Sequence, residues 1–245
     1  MSDDILTRQS GPVFEVILNR PGDGNAATDA MATDLTRIIG EAAQTSHFII
    51  LRGAGSDFCV GRASMGRPPQ AGPQEALDRR RSSEVIFDCY AAFRQSPVPI
   101  VGVVQGRALG FGCALAALCD ITLASDAATF QVPEMAHNIL PTMVMSSLID
   151  RVPRKALTYL VYSTAVIGAM RALSVGLVSE IVPAADLEAQ VQTLGAALLK
   201  APPPAVRGAK EYARSAFTMD IHGAVDFARN LHATINSSAE MRKAQ

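Results

Sequence analysis

The sequence predicts an α/β fold, with buried strands alternating with helices and a helical module at the C-terminal end. Three observations predict it. Short, largely apolar runs at His47–Leu51, Ile100–Val104 and Asp120–Ala124 read as strands buried on both faces. Segments with helical apolar spacing lie between them, the pattern of an α/β core. After Ala201-Pro202-Pro203-Pro204 the pattern is helical only, and proline there both interrupts the chain and opens a new helix well.

The elements follow in order. Pro12–Leu18 reads as an early strand and Asn19–Asn25, rich in Gly, Asn and Asp, as its turn. Thr28 is an N-cap for a helix through Ala43 that puts Met31, Leu35, Ile38 and Ile39 on one face. His47–Leu51 is the next strand, and a polar loop leads to a charged helix from about Gln74 to Arg94. Pro97 and Pro99 end that helix, and Ile100–Val104 runs into a glycine turn followed by a helix over Leu109–Leu118. Asp120–Ala124 and Thr129–Val132 are the next strands. From Thr142 the pattern is mostly helical, with a brief strand near Ser179–Val182 and helices over Pro204–Ser215 and Ile221–Ser237.

Composition narrows the function classes. The 245 residues are 49% hydrophobic and 18% charged, enough to bury a large core and unlike a disordered chain. A net charge of −1 implies no basic face, so nucleic acid is not the expected partner. Cys59, Cys89, Cys113 and Cys119 form no C-x-x-C pair and no metal-ligand spacing with histidine. They read as reduced core thiols of a cytoplasmic protein, with no metal expected. The acidic start Met1-Ser2-Asp3-Asp4 lacks an apolar signal core, and the apolar stretch Pro97–Cys119 is broken by Gln105 and Arg107. It reads as strand, turn and helix, so no membrane partner is expected.

The chemistry concentrates in two glycine turns and one acid: Phe58-Cys59-Val60-Gly61-Arg62, Gly106-Arg107-Ala108-Leu109-Gly110-Phe111-Gly112, and Glu134 in Phe130-Gln131-Val132-Pro133-Glu134. Taken singly, each turn reads as an ordinary strand-to-helix junction in which glycine relieves crowding. Together they can aim two backbone N–H groups at one point and hold an oxyanion, each donor contributing on the order of 3 kcal/mol. The helix after the second turn adds its positive end. A carboxylate beside that point moves a proton next to a carbonyl, which is enolate chemistry. Gly53-Ala54-Gly55 lacks the rest of a dinucleotide fingerprint, and no Gly-x-Ser-x-Gly elbow or P-loop lysine occurs. Ser64 has no nameable base, and Arg79-Arg80-Arg81 reads as a solvated helix face rather than a phosphate site.

These residues resemble the crotonase (enoyl-CoA hydratase/isomerase) superfamily. The matching pieces, in family order, are Leu18-Asn19-Arg20-Pro21, Asn25-Ala26, Asp57–Gly61, Gly106-x-x-x-Gly110-x-Gly112, Leu118–Ile121, Phe130-x-x-Pro133-Glu134, Pro141 and Gly176-Leu177-Val178. The resemblance implies a spiral of ββα turns over residues 1–200 that binds acyl-CoA. It also implies a helical region over 201–245 that builds a homotrimer or a dimer of trimers. The acyl-CoA thioester is the substrate, and no further cofactor is implied. Oxyanion N–H groups fall to Arg62 and Phe111, the acid to Glu134, and contact with CoA to Gly61, Arg62 and Gly110.

The chain departs from the family pattern at several of these positions. The family usually has a small or apolar residue at Arg62 and glycine at Phe111, but only the backbone N–H is needed. The Phe111 ring must then point away from the acyl pocket or wall it. The Arg62 guanidinium either reaches a CoA phosphate or substrate carboxylate or extends into solvent. Hydrating members carry a second glutamate where this chain has Ala114, and syn addition of water is served better by two carboxylates than by one. The residues therefore favour double-bond isomerisation over hydration. His137 replaces a usual leucine and is a candidate assistant to Glu134, though a lone histidine more often has a structural role. The chain ends soon after Glu240 without the usual Ala-Phe and basic residues, so CoA affinity or subunit contacts are expected to differ. Two other readings stay open: a non-catalytic acyl-CoA-binding paralogue, favoured if the Phe111 ring fills the acyl channel, and a hydrolase or decarboxylase on the same fold.

Overall fold

The apolar runs form the middle of a largely parallel sheet in a computed structural model that describes residues 3–64 and 75–243. In chain order the strands are β1 (Ile5–Ser10), β2 (Val13–Leu18), β3 (Phe48–Gly53), β4 (Ile100–Val104), β5 (Arg107–Leu109), β6 (Ile121–Ser125), β7 (Thr129–Gln131), β8 (Ile167–Gly168) and β9 (Glu180–Val182). The helices are α1 (Asp29–Thr45), α2 (Ala76–Gln95), α3 (Phe111–Leu118), α4 (Thr142–Leu148), α5 (Arg154–Ser163), α6 (Ala169–Ser174), α7 (Leu187–Lys200), α8 (Pro203–Ala216), α9 (Ile221–Asn236) and α10 (Ala239–Lys243).

A six-stranded sheet has the order β1-β2-β3-β4-β6-β9 and a three-stranded sheet the order β5-β7-β8. Successive windings give one strand to each sheet. β4 and β6 pair in parallel in the large sheet, while β5 and β7, which follow them, pair in parallel in the small one. The chain therefore climbs as a spiral, and the reversals at the ends of β4 and β6 lie next to each other.

Strands β3, β4 and β6 are largely apolar because both their faces are covered. Phe48, Ile50, Val101, Val103 and Leu123 meet Leu187 and Val191 of α7 on one side. Ile49, Leu51, Ile100 and Val104 face the main core with α1, α2 and α3 on the other. Helix α1 begins where its cap was expected, Thr28 accepting the Met31 N–H at 3.2 Å.

Differences from the sequence reading have local causes. β1 pairs antiparallel with β2 at the sheet edge. Five of its six residues are exposed, so it carries no apolar signature. Leu109 belongs to β5, and α3 starts only at Phe111 because Gly110, at φ 50° and ψ −112°, turns the chain between them. Two-residue β8 and short α10 escaped a reading based on periodicity. Gln74, the expected start of the charged helix, lies outside the described residues.

One buried ion pair fastens the C-terminal helices to the sheet. Lys210 of α8 donates to Asp120 Oδ2 and to the Val98 carbonyl, each at 2.8 Å. The same Asp120 oxygen accepts the Ile100 N–H at the start of β4. The side chains are 6% and 23% exposed respectively, so the pair is shielded on one side only. Lys210→Ala is expected to lower the unfolding free energy by about 3 kcal/mol, the low end for breaking a shielded pair, as measured by urea denaturation.

Candidate active site

The first turn is held from behind by a buried asparagine. Asn25, fully buried and at φ 58°, accepts the Arg20 N–H and donates to the carbonyls of Ala54 and Asp57, each at 2.8 Å. Ala27 then grips the turn itself. Its N–H reaches the Gly61 carbonyl and its carbonyl accepts the Ala63 N–H, both at 2.8 Å. In this parallel bridge between Ala27 and Arg62, the residue between the two bonds points its own N–H the other way. The Arg62 N–H therefore faces away from Ala27 and has no backbone partner among the described residues.

The second turn is pressed onto the first. Cys59 N–H bonds the Arg107 carbonyl at 3.1 Å and Leu109 N–H bonds the Cys59 carbonyl at 2.9 Å. Asp57 crosses between the turns, accepting the Arg107 backbone N–H at 3.0 Å and its guanidinium at 2.8 and 2.9 Å. Hydrogen bonding from Arg107 holds the Asp57 carboxyl below the usual carboxylate range. A Cβ on Gly112 would collide with the Cys59 carbonyl, so no other residue fits there. Gly110 N–H bonds the Gln131 carbonyl at 2.9 Å, tying the turn to β7. Phe111 is the first residue of α3, where an N–H has no partner within the helix. It has none in the surrounding backbone among the described residues.

Strand β7 delivers the acid. Pro133 ends it, and Glu134 opens a 3-10 turn, Glu134–His137. Glu134 is 5% exposed, and its Oε2 is buried without a hydrogen-bond partner. Burial raises its pKa above the ordinary value, partly offset by its own backbone N–H. Arg62, Phe111 and Glu134 line one cavity of about 100 Å³ with Tyr90, Ile139 and Met143. Unpaired backbone donors and an unpaired buried carboxylate in an apolar cavity can polarise a carbonyl and move a proton beside it.

Other expected residues fall elsewhere. The Arg62 guanidinium pairs with Asp29 at the start of α1, at 2.6 Å, rather than extending free into solvent. His137 is exposed and lines a neighbouring groove with Arg20, Arg62, Gln131 and Pro133. It is not among the residues lining the cavity of Glu134. Gly61 and Gly110 shape the turns and line neither space. Ser64 lines the cavity, and Arg79–Arg81 are exposed on α2. Ala114 is fully buried and does not line the cavity. The Phe111 ring is 2% exposed and stacks on Tyr90, centroids 5.7 Å apart at 23°, so it walls the cavity instead of filling it. Tyr90 went unremarked in the sequence. Its signal was the spacing Ile86, Cys89, Tyr90, Phe93, the buried stripe of an otherwise charged helix.

The model of the enoyl-CoA hydratase/isomerase family matches residues 8–245. The chain belongs to that family. It is 31% identical over 193 residues to mouse mitochondrial enoyl-CoA hydratase domain-containing protein 3, covering 77% of this chain and 62% of that protein. It is 26% identical to the short-chain-enoyl-CoA hydratase of Clostridium acetobutylicum, covering 92% and 86%. Identity to human enoyl-CoA delta isomerase 2 is 27%, covering 89% and 56%. Thus the chain spans about three fifths of the mouse and human relatives. Among solved structures, the enoyl-CoA hydratase of Mycobacterium smegmatis superposes with a TM-score of 0.90 at 24% identity, covering 97% and 93%. A protein of Thermobifida fusca assigned as an enoyl-CoA hydratase, solved in complex with CoA, gives 0.84 at 27%, covering 94% and 92%. The family's crotonase fold is thus that of this chain.

Within the family fold, the contact between the turns makes a sharp mutational contrast. Gly112→Ala is expected to destabilise by more than about 3 kcal/mol because the backbone of Cys59 must move. Gly40→Ala, at an exposed position of α1 with nothing within 4 Å, is expected to stabilise by about 0.5–1 kcal/mol. Denaturant midpoints of the two variants would check both.

Proposed function

We propose that this chain is an acyl-CoA enzyme of the enoyl-CoA hydratase/isomerase type. The backbone N–H groups of Arg62 and Phe111 hold the thioester oxygen as the adjacent carbon gives up a proton. Glu134 takes that proton from C2 and returns it to C4, or the reverse, shifting a double bond. The observation that carries the reading is the buried, unpartnered Glu134 Oε2 in the same cavity as Arg62 and Phe111. Ala114 supplies no second carboxylate, which favours isomerisation over hydration. The Phe111 ring leaves the cavity open, which speaks against a purely binding paralogue. His137 lines the outer groove with Arg20 and not the cavity of Glu134, which speaks against hydrolysis or decarboxylation assisted by it.

The assembly and setting belong to the same proposal. Phe217 and Ile221, 90% and 71% exposed at the end of α8 and the start of α9, suit packing against further copies, as a homotrimer or dimer of trimers requires. The four buried, free cysteines suit a reducing cytoplasm. The described residues contain no grouping able to hold a metal and no helix long and apolar enough to cross a membrane.

In D2O with 2-enoyl- and 3-enoyl-CoA, the wild type is expected to incorporate deuterium at C2 or C4, read by mass spectrometry. Glu134→Gln is expected to lose at least about 100-fold of that rate, as for a positioned general base; equal exchange in both proteins would refute the assignment. Because burial raises the pKa of Glu134, the carboxylate is the active form only above a pKa higher than that of an ordinary glutamate. The acid limb of kcat/KM against pH is therefore expected above the usual range of about 4.3, with activity falling as pH drops through it.

A further inference from the structure

Glu134 and Tyr90 both line the cavity, and only the first has a role so far. Glu134 Oε2 is an acceptor without a donor. Tyr90 is 4% exposed and lines the same cavity, to which it brings a phenol O–H. Buried polar groups are normally paired, so the bare Glu134 oxygen calls for an explanation. The Tyr90 ring stacks on Phe111, the residue whose N–H is proposed above to hold the thioester oxygen. Glu134 Oε2 has no hydrogen-bond partner, so the Tyr90 hydroxyl does not bond it directly.

A donor and an acceptor in one cavity but out of direct contact match a molecule that accepts from one and donates to the other. Water fits that description, needing about 30 Å³ and two or more polar partners. We propose that Tyr90 is a further catalytic residue. Its O–H holds the water that Glu134 activates, which gives the site hydration of 2-enoyl thioesters as an activity alongside isomerisation. The inference rests on the proposed acyl-CoA enzyme reading and supplies what Ala114 removed, a second group on the water. In the addition, Glu134 takes a proton from water while the water oxygen bonds C3. The C2–C3 π pair shifts toward C1, and the thioester oxygen carries the charge against the N–H groups of Arg62 and Phe111. Protonated Glu134 then gives its proton to C2. Tyr90 keeps its own proton throughout and donates to the water oxygen, then to the new C3 hydroxyl. Burial raises the phenol pKa well above its ordinary value, so it remains a donor at neutral pH.

Tyr90→Phe removes only the hydroxyl and keeps the ring against Phe111. The test assays wild type, Tyr90→Phe and Glu134→Gln with a 2-enoyl-CoA for hydration and a 3-enoyl-CoA for isomerisation. The expected result is hydration by the wild type that falls at least about 10-fold in Tyr90→Phe, with isomerisation within about twofold of wild type. Isomerisation without hydration in the wild type, unchanged hydration in Tyr90→Phe, or an equal fall in both reactions would overturn the role of Tyr90 alone. Absence of any Glu134-dependent chemistry in the wild type would overturn the enzymatic reading itself, and this inference with it.

Discussion

The contact between two glycine turns governs the site. The backbone of Gly112 lies against the Cys59 carbonyl so closely that a single methyl group would part them, and Asp57 clamps Arg107 across the same seam. Nothing about either turn alone requires this approach. It follows from the spiral, which sets the C-terminal ends of β3 and β4 side by side and so brings together the reversals that leave them. Phe111, first residue of α3, and Arg62 thereby come to line a common cavity.

The acid sits in that frame at a cost in solvation. A carboxylate out of water without a partner is destabilised as an anion, and Glu134 bears this with only its own backbone N–H in compensation. The surrounding core offsets the cost: β3, β4 and β6 are sealed on both faces. In the proposed reaction, an oxygen left unpaired in the resting protein can accept a proton without first giving up a bond. Backbone donors held in place by sheet pairing likewise need no reorganisation when charge develops.

The sequence was most informative where chemistry depends on backbone form. Glycines at 61, 110 and 112 are visible as letters, and each marks a place where a side chain is strained or excluded. Strands β3 and β4 were legible because burial on both faces leaves an unbroken apolar run. β1 was not, since a paired edge strand with a wet face needs no apolar pattern. Tyr90 was hidden for a different reason. Helical periodicity places it in the core, but only the packing of α2 on α3 shows that the core there includes the wall of a cavity. The Arg62–Asp29 pair was equally out of reach, because its partner lies 33 positions away in the chain and the two meet only through the Ala27 bridge.

Main-chain donors also change how such a protein can diverge. Arg62 and Phe111 contribute groups that every residue but proline possesses, so their side chains are at liberty to vary. Here one side chain is an anchor to α1 and the other a cavity wall. A mutational scan that trims side chains would pass over both positions as unremarkable in chemistry. Divergence can therefore rebuild the lining of the cavity around backbone donors that carry no side-chain signature of their own.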